Sequence, residues 1–152
     1  VEDKSTFEPQ IEVFKHFVKK AKTYDKFLNI HTKGAEKLVY DILNKENMLE
    51  KSIIHWYSGY FHTVNKFIDS NSYFTLSVDI NTSQKSKEIA KLVPLDHILA
   101  ETDGPTALEW VNGAYGMPSE IINVYNSMCS AKDISMDELE DHIEHNYNII
   151  LK

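Results

Sequence analysis

Three short apolar runs, each ending in a histidine or an acid, constrain this chain more than any other feature. They are Lys26–His31 (KFLNIH), Ile53–Gly59 (IIHWYSG) and His97–Pro105 (HILAETDGP), the last ending in Glu101, Thr102 and Asp103 before a Gly-Pro break. His31 and His55 lie 24 residues apart, and His55 and Asp103 lie 48 apart, twice that interval. An interval of about 24 residues fits one strand, one helix and two short loops. The two histidines are therefore expected at the ends of consecutive strands, with the aspartate ending a strand two units later. A strand that is apolar on both faces, as Ile53 and Ile54 make the second one, belongs in a buried parallel sheet. In such sheets the polar residues at the carboxyl ends of the strands carry the chemistry.

The segments between these runs read as helices. Phe7–Tyr24 is amphipathic, with Pro9 in its first turn and Ile11, Phe14, Phe17, Val18 and Ala21 on one face. Lys15, Lys19, Lys20 and Lys22 lie mostly elsewhere and read as a solvated face. Strands are expected at Phe27–His31, Ser52–Trp56, Tyr73–Val78 and His97–Glu101. Helices are expected at Gly34–Lys45, Tyr60–Asp69 and Ser83–Leu92, the last capped by Thr82 or Ser83 and ended by Pro94. Gly104–Met117 reads as a long loop with three glycines. Pro118–Ser130 and Met136–Tyr147 follow as helices, the second with Ser135 as N-cap and Glu138 completing a capping box.

A helix, four strand–helix units and one extra helix make an α/β chain with a parallel sheet and right-handed crossovers. A complete eight-unit barrel takes about 250 residues, whereas this chain has 152. Its first element is a helix with no strand before it, and apolar edge strands are poorly tolerated unpaired. Residues 1–152 are therefore expected to form the C-terminal half of a TIM (β/α)8 barrel: four parallel strands alternating with helices, plus a terminal helix. Upstream residues or another chain would supply the N-terminal strands. The chain opens without methionine, so Val1 is not expected to be the native start.

Composition narrows the function classes. A hydrophobic fraction of 42% marks a globular chain, and no apolar run reaches the length of a membrane span. Val1–Thr6 is polar and acidic, unlike a signal peptide. The single cysteine, Cys129, forbids an internal disulfide and suits a reducing, cytoplasmic compartment; it falls on an apolar helical face. A formal net charge of -7 argues against indiscriminate coating of nucleic acid. It leaves room for a small site that takes a strand end with the help of metal ions.

Taken together, IHTKGAEKLVYDIL (Ile30–Leu43), IIHWYSG (Ile53–Gly59) and PLDHILAETDGP (Pro94–Pro105) resemble the TatD family of metal-dependent deoxyribonucleases. EHNYNIIL (Glu144–Leu151) is a looser match to the family's end. The ETDGP and IIHWYSG forms, with Gly116 and Pro118 before the last helices, look most like the QatD branch, part of a bacterial anti-phage system. The resemblance implies a barrel with two divalent ions (Mg, Mn or Zn), a DNA strand end as substrate, and other defence-complex subunits as partners. It implies that His31 and His55 bind one metal, while Asp103 touches the other and manages the proton of the attacking water. Imidazole and carboxylate donors suit these ions, and two metals clamp the oxygens of a phosphodiester in cleavage. Lys33 stands where the family usually has an arginine and would meet a phosphate as a point charge. Ser58 would line the site, and Trp56 would stack on a base or pack.

Two departures matter. The family's His-x-His pair and a fourth-strand glutamate have no counterpart here, so this chain alone is expected to be inactive. A related ester or amide hydrolase, such as one acting on aminoacyl-tRNA, and a scaffold subunit without activity are the alternatives. Glu101 either supports a neighbouring loop or simply ends its strand. His142 and His145, with Asp141 and Glu144, read as part of an exposed acidic helix rather than a metal site. His16, His62 and His97 have no evident partner.

Overall fold

Isoleucine, isoleucine, phenylalanine and isoleucine stand side by side across the sheet and set its buried face. The computed structural model describes residues 4–152. The described residues form four strands, β1 (Leu28–His31), β2 (Ser52–His55), β3 (Tyr73–Leu76) and β4 (Ile98–Ala100), all parallel and in the order β1-β2-β3-β4. Ile30, Ile54, Phe74 and Ile98 are in register and are 6%, 0%, 0% and 0% exposed. This face packs on the helices, as the edge-to-face contact between Phe74 and Phe67 shows.

The helices follow the expected alternation: α1 (Phe7–Thr23), α2 (Glu36–Glu46), α3 (Phe61–Asp69), α4 (Gln84–Leu92), α5 (Thr106–Asn112), α6 (Ile121–Lys132) and α7 (Met136–Ile150). Val39, Ile42 and Leu43 of α2 and Val64 and Phe67 of α3 are buried at helical spacing. Ser83 is the cap of α4, its hydroxyl accepting from the Ser86 N–H at 3.2 Å, and Ser135 caps α7 by accepting from Glu138 N–H at 3.1 Å. No helix among the described residues is long and apolar enough to cross a membrane.

Three expectations need correction. The segment Gly104–Met117 is not one loop, because α5 occupies its middle; Ala107 and Leu108 bury one turn against the core, and Gly113 ends it at φ 81°. Phe17 does not join the inner face of α1, for it is 60% exposed while Val18 and Ala21 meet the core. Pro118–Glu120 is a 3-10 turn leading into α6 rather than the first turn of that helix. The expected polar, non-signal opening falls partly on residues 1–3, which lie outside the described residues.

The opposite face of the sheet carries Ile53 and His55 on β2, Thr75 on β3 and Leu99 on β4. A groove of about 540 Å³ runs between Ile53, Thr75 and Leu99 and the α7 side chains Ile143, Tyr147 and Ile150. α7 is fastened to the start of β4 by Asn146, which is fully buried and donates to the carbonyls of Leu95 (2.7 Å) and Ile98 (2.8 Å).

Candidate functional site

The carboxyl ends of the strands bring the three singled-out ligands together. His31 and His55 are register partners at the ends of β1 and β2, with ring centroids 4.2 Å apart. Asp103 follows β4 on a backbone with φ 45°, in the left-handed region that non-glycine residues rarely adopt. One ligand atom from each of the three lies within 4.8 Å of the others. Among the described residues this is the one group of three or more His, Cys, Asp or Glu side chains that converges in this way.

His55 is only 8% exposed, and both of its ring nitrogens face a carboxylate. Nδ1 is 2.5 Å from Glu101 Oε2, and Nε2 is 3.5 Å from Asp103 Oδ2. The Glu101 hydrogen bond raises the imidazole above its ordinary pKa of 6.5; burial opposes it, and Asp103 adds to the rise. With Nδ1–H committed to Glu101, Nε2 is the nitrogen aimed at the His31–Asp103 space. That donor set, two imidazoles and a carboxylate with one imidazole backed by a second carboxylate, fits a divalent transition metal or Mg²⁺. The sequence left Glu101 between two roles; the structure places it on His55.

The remaining expected residues surround this cluster unequally. Lys33 and Ser58 are exposed in the loops that follow β1 and β2. The Ser58 carbonyl accepts from Lys85 Nζ at 2.6 Å, which ties its loop to α4. Trp56 follows His55 directly at φ 41° and is only partly exposed. Its N–H donates to Thr75 Oγ1 at 3.0 Å, and its indole lies nearly parallel to that of Trp110, 6.4 Å between centroids and 16° between planes. His142 Nδ1 lies 3.1 Å from Asp96 Oδ1, away from the cluster.

Sequence reasoning missed two contributors. Asp79, in the turn after β3, stands beside Trp56 and accepts a hydrogen bond from the Ser86 hydroxyl; burial raises its carboxyl above the ordinary range. Trp110 stacks on Trp56 from α5, within the glycine-containing segment where the sequence shows no helical period. An acid soon after a strand end was visible at Asp79, but nothing in the sequence joined Trp110 to Trp56.

Known proteins resemble this chain in sequence and in fold. The family model described as "TatD related DNase" matches residues 1–152. The chain is 24% identical over 136 residues to an uncharacterized metal-dependent hydrolase of Haemophilus influenzae, covering 89% of this chain and 53% of that protein. It is 28% identical over 141 residues to the uncharacterized metal-dependent hydrolase YabD of Bacillus subtilis, covering 90% and 55%. Among solved structures, the TatD homologue YJJV of Escherichia coli superposes with a TM-score of 0.86 at 21% identity, over 97% of this chain and 58% of that one. The chain spans about half the length of the curated relatives it matches.

Proposed function

The chain belongs to the TatD-related DNase family of metal-dependent hydrolases, and from that premise we propose that its site hydrolyses phosphodiester bonds at a DNA strand end. The observation that carries this reading is the convergence of His31, His55 and Asp103, with Glu101 behind His55. We read the four-stranded sheet as the C-terminal half of a (β/α)8 barrel, which its open strand order and the span of its relatives support. The complete barrel would add the ligands that this chain lacks.

Each residue then has a task. His31 and His55 present imidazole nitrogens, and Glu101 keeps His55 in the tautomer that exposes Nε2. Asp103 carries the carboxylate placed to orient the attacking water and take its proton. Lys33 would hold a phosphate oxygen and Ser58 would line the approach. Divalent ions held by this set would supply charge neutralisation for the phosphate and acidify the attacking water. The ETDGP and IIHWYSG forms support the narrower reading of a QatD-like protein acting in cytoplasmic anti-phage defence with other subunits.

The test is cleavage of end-labelled DNA by the complete natural polypeptide in Mg²⁺ or Mn²⁺, beside His31→Ala and Asp103→Ala. The expected result is metal-dependent shortening from an end, reduced at least about 100-fold in both variants. Undiminished cleavage in both would overturn the ligand assignment. Deacylation of an aminoacyl ester without DNA cleavage would move the substrate class, and neither activity would leave a scaffold.

A further inference from the structure

Of the paired indoles beside the ligand cluster, Trp56 packs against the core, whereas Trp110 is left exposed. Trp56 sits in the left-handed region at φ 41°, a conformation that is strained for so bulky a residue. Its backbone is held there, for its main-chain N–H donates to Thr75 Oγ1 at 3.0 Å. Against it lies Trp110, which is 72% exposed although Ala107 and Leu108 on the same helix are buried. The two rings are close to parallel, 16° between planes, so the pair offers a flat aromatic surface whose inner ring packs on the core.

Location decides what such a surface meets. Trp56 is bonded to His55, and α5, which carries Trp110, begins three residues after Asp103. A ligand whose phosphate reaches the His31–His55–Asp103 cluster therefore brings its neighbouring group to these rings. We propose that Trp56 and Trp110 form a stacking subsite for a nucleobase next to the phosphate being processed. The choice of a nucleobase rests on the DNA-hydrolase reading above; the existence of an aromatic subsite rests on the geometry alone. Stacking tolerates every base, because each has a π-face, so the subsite would favour unpaired ends without reading their sequence.

The experiment is calorimetric binding of dAMP, and separately of 2-deoxyribose 5-phosphate, to the complete polypeptide in Mg²⁺. Neither ligand has a phosphodiester bond, so the readout is independent of cleavage. Parent protein, Trp110→Ala and Trp110→Phe are compared; Trp110 is exposed, so these variants retain the fold. Expected is a loss of about 5- to 50-fold in dAMP affinity for Trp110→Ala, recovery of most of it in Trp110→Phe, and the same affinity of all three for the baseless sugar phosphate. Equal dAMP binding by parent and Trp110→Ala, or an equal loss for both ligands, would overturn the subsite. A parent protein that discriminates dAMP from the sugar phosphate yet cuts no DNA would keep the subsite and reject the nuclease reading.

Discussion

His55 can serve the ligand cluster through one nitrogen because Glu101 occupies the other. The 2.5 Å contact orients the ring, and burial keeps water from competing for the same N–H. Removing the acid in Glu101→Ala should weaken metal binding by about 10- to 100-fold, as loss of a partner to a ligating histidine commonly does. Glu101→Gln retains an acceptor oxygen and should recover part of that loss; calorimetric metal titration of the two variants checks it. A change within a factor of two for Glu101→Ala would remove Glu101 from the site. Gly59 sets a different local limit. A Cβ there would lie 2.6 Å from Tyr57 Oη and 2.8 Å from Glu36 Cγ. Tyr57 cannot easily retreat: it is 2% exposed and its hydroxyl donates to the Tyr60 carbonyl at 2.8 Å. Gly59→Ala should therefore cost about 1–3 kcal/mol by overpacking, read as a lower denaturant midpoint with unchanged slope.

At the scale of elements, α7 is hydrogen-bonded to the start of β4 by one buried side chain, Asn146, while Leu139 packs in the core. Asn146→Ala would strip hydrogen bonds from the Leu95 and Ile98 carbonyls and should cost about 2–4 kcal/mol. Faster amide exchange confined to α7 and β4 would show that the cost falls on this seam. His97, just before β4, gives the same region a pH dependence. Burial lowers its pKa below 6.5, with Asp96 and Glu50 opposing, and its ring lies 5.0 Å from that of Tyr73. The neutral form is thus the one the fold accepts. Its contribution is fully present above the unfolded pKa of about 6.5 and is lost as pH falls through that value toward the folded pKa. His97→Phe keeps an aromatic ring against Tyr73 and should flatten the fall in stability between about pH 7 and pH 5.

These elements also show what a sequence can and cannot disclose. The strands were legible because each is a short apolar run stopped by a polar residue, and the candidate ligands because they occupy those stops at 24 residues and then twice that. The helix α5 was not, since seven residues between Gly104 and Gly113 contain too few turns to show a period. The Glu101–His55 contact was not either, because it spans β3 and depends on two side chains rising from the same face of the sheet. The Trp56–Trp110 pair depends in turn on α5, so missing the helix hid the pair.

For the whole molecule, one face of the sheet is sealed by helices and the other is left with a groove beside α7. The first face closes a hydrophobic core, with Ile54, Phe74 and Ile98 fully buried. The second holds the His31–His55–Asp103 cluster at its carboxyl rim. The net charge of -7 fits a site whose positive charge comes from bound ions rather than from the surface. The most direct measurement is therefore the divalent metal content of the purified natural polypeptide, parent beside His55→Ala, on samples shown to be folded. If His55 is a ligand as the geometry indicates, the parent carries bound metal and the variant loses at least about one ion per chain. Equal metal content in the two proteins, or none in the parent after incubation with Mg²⁺, Mn²⁺ and Zn²⁺, would contradict it.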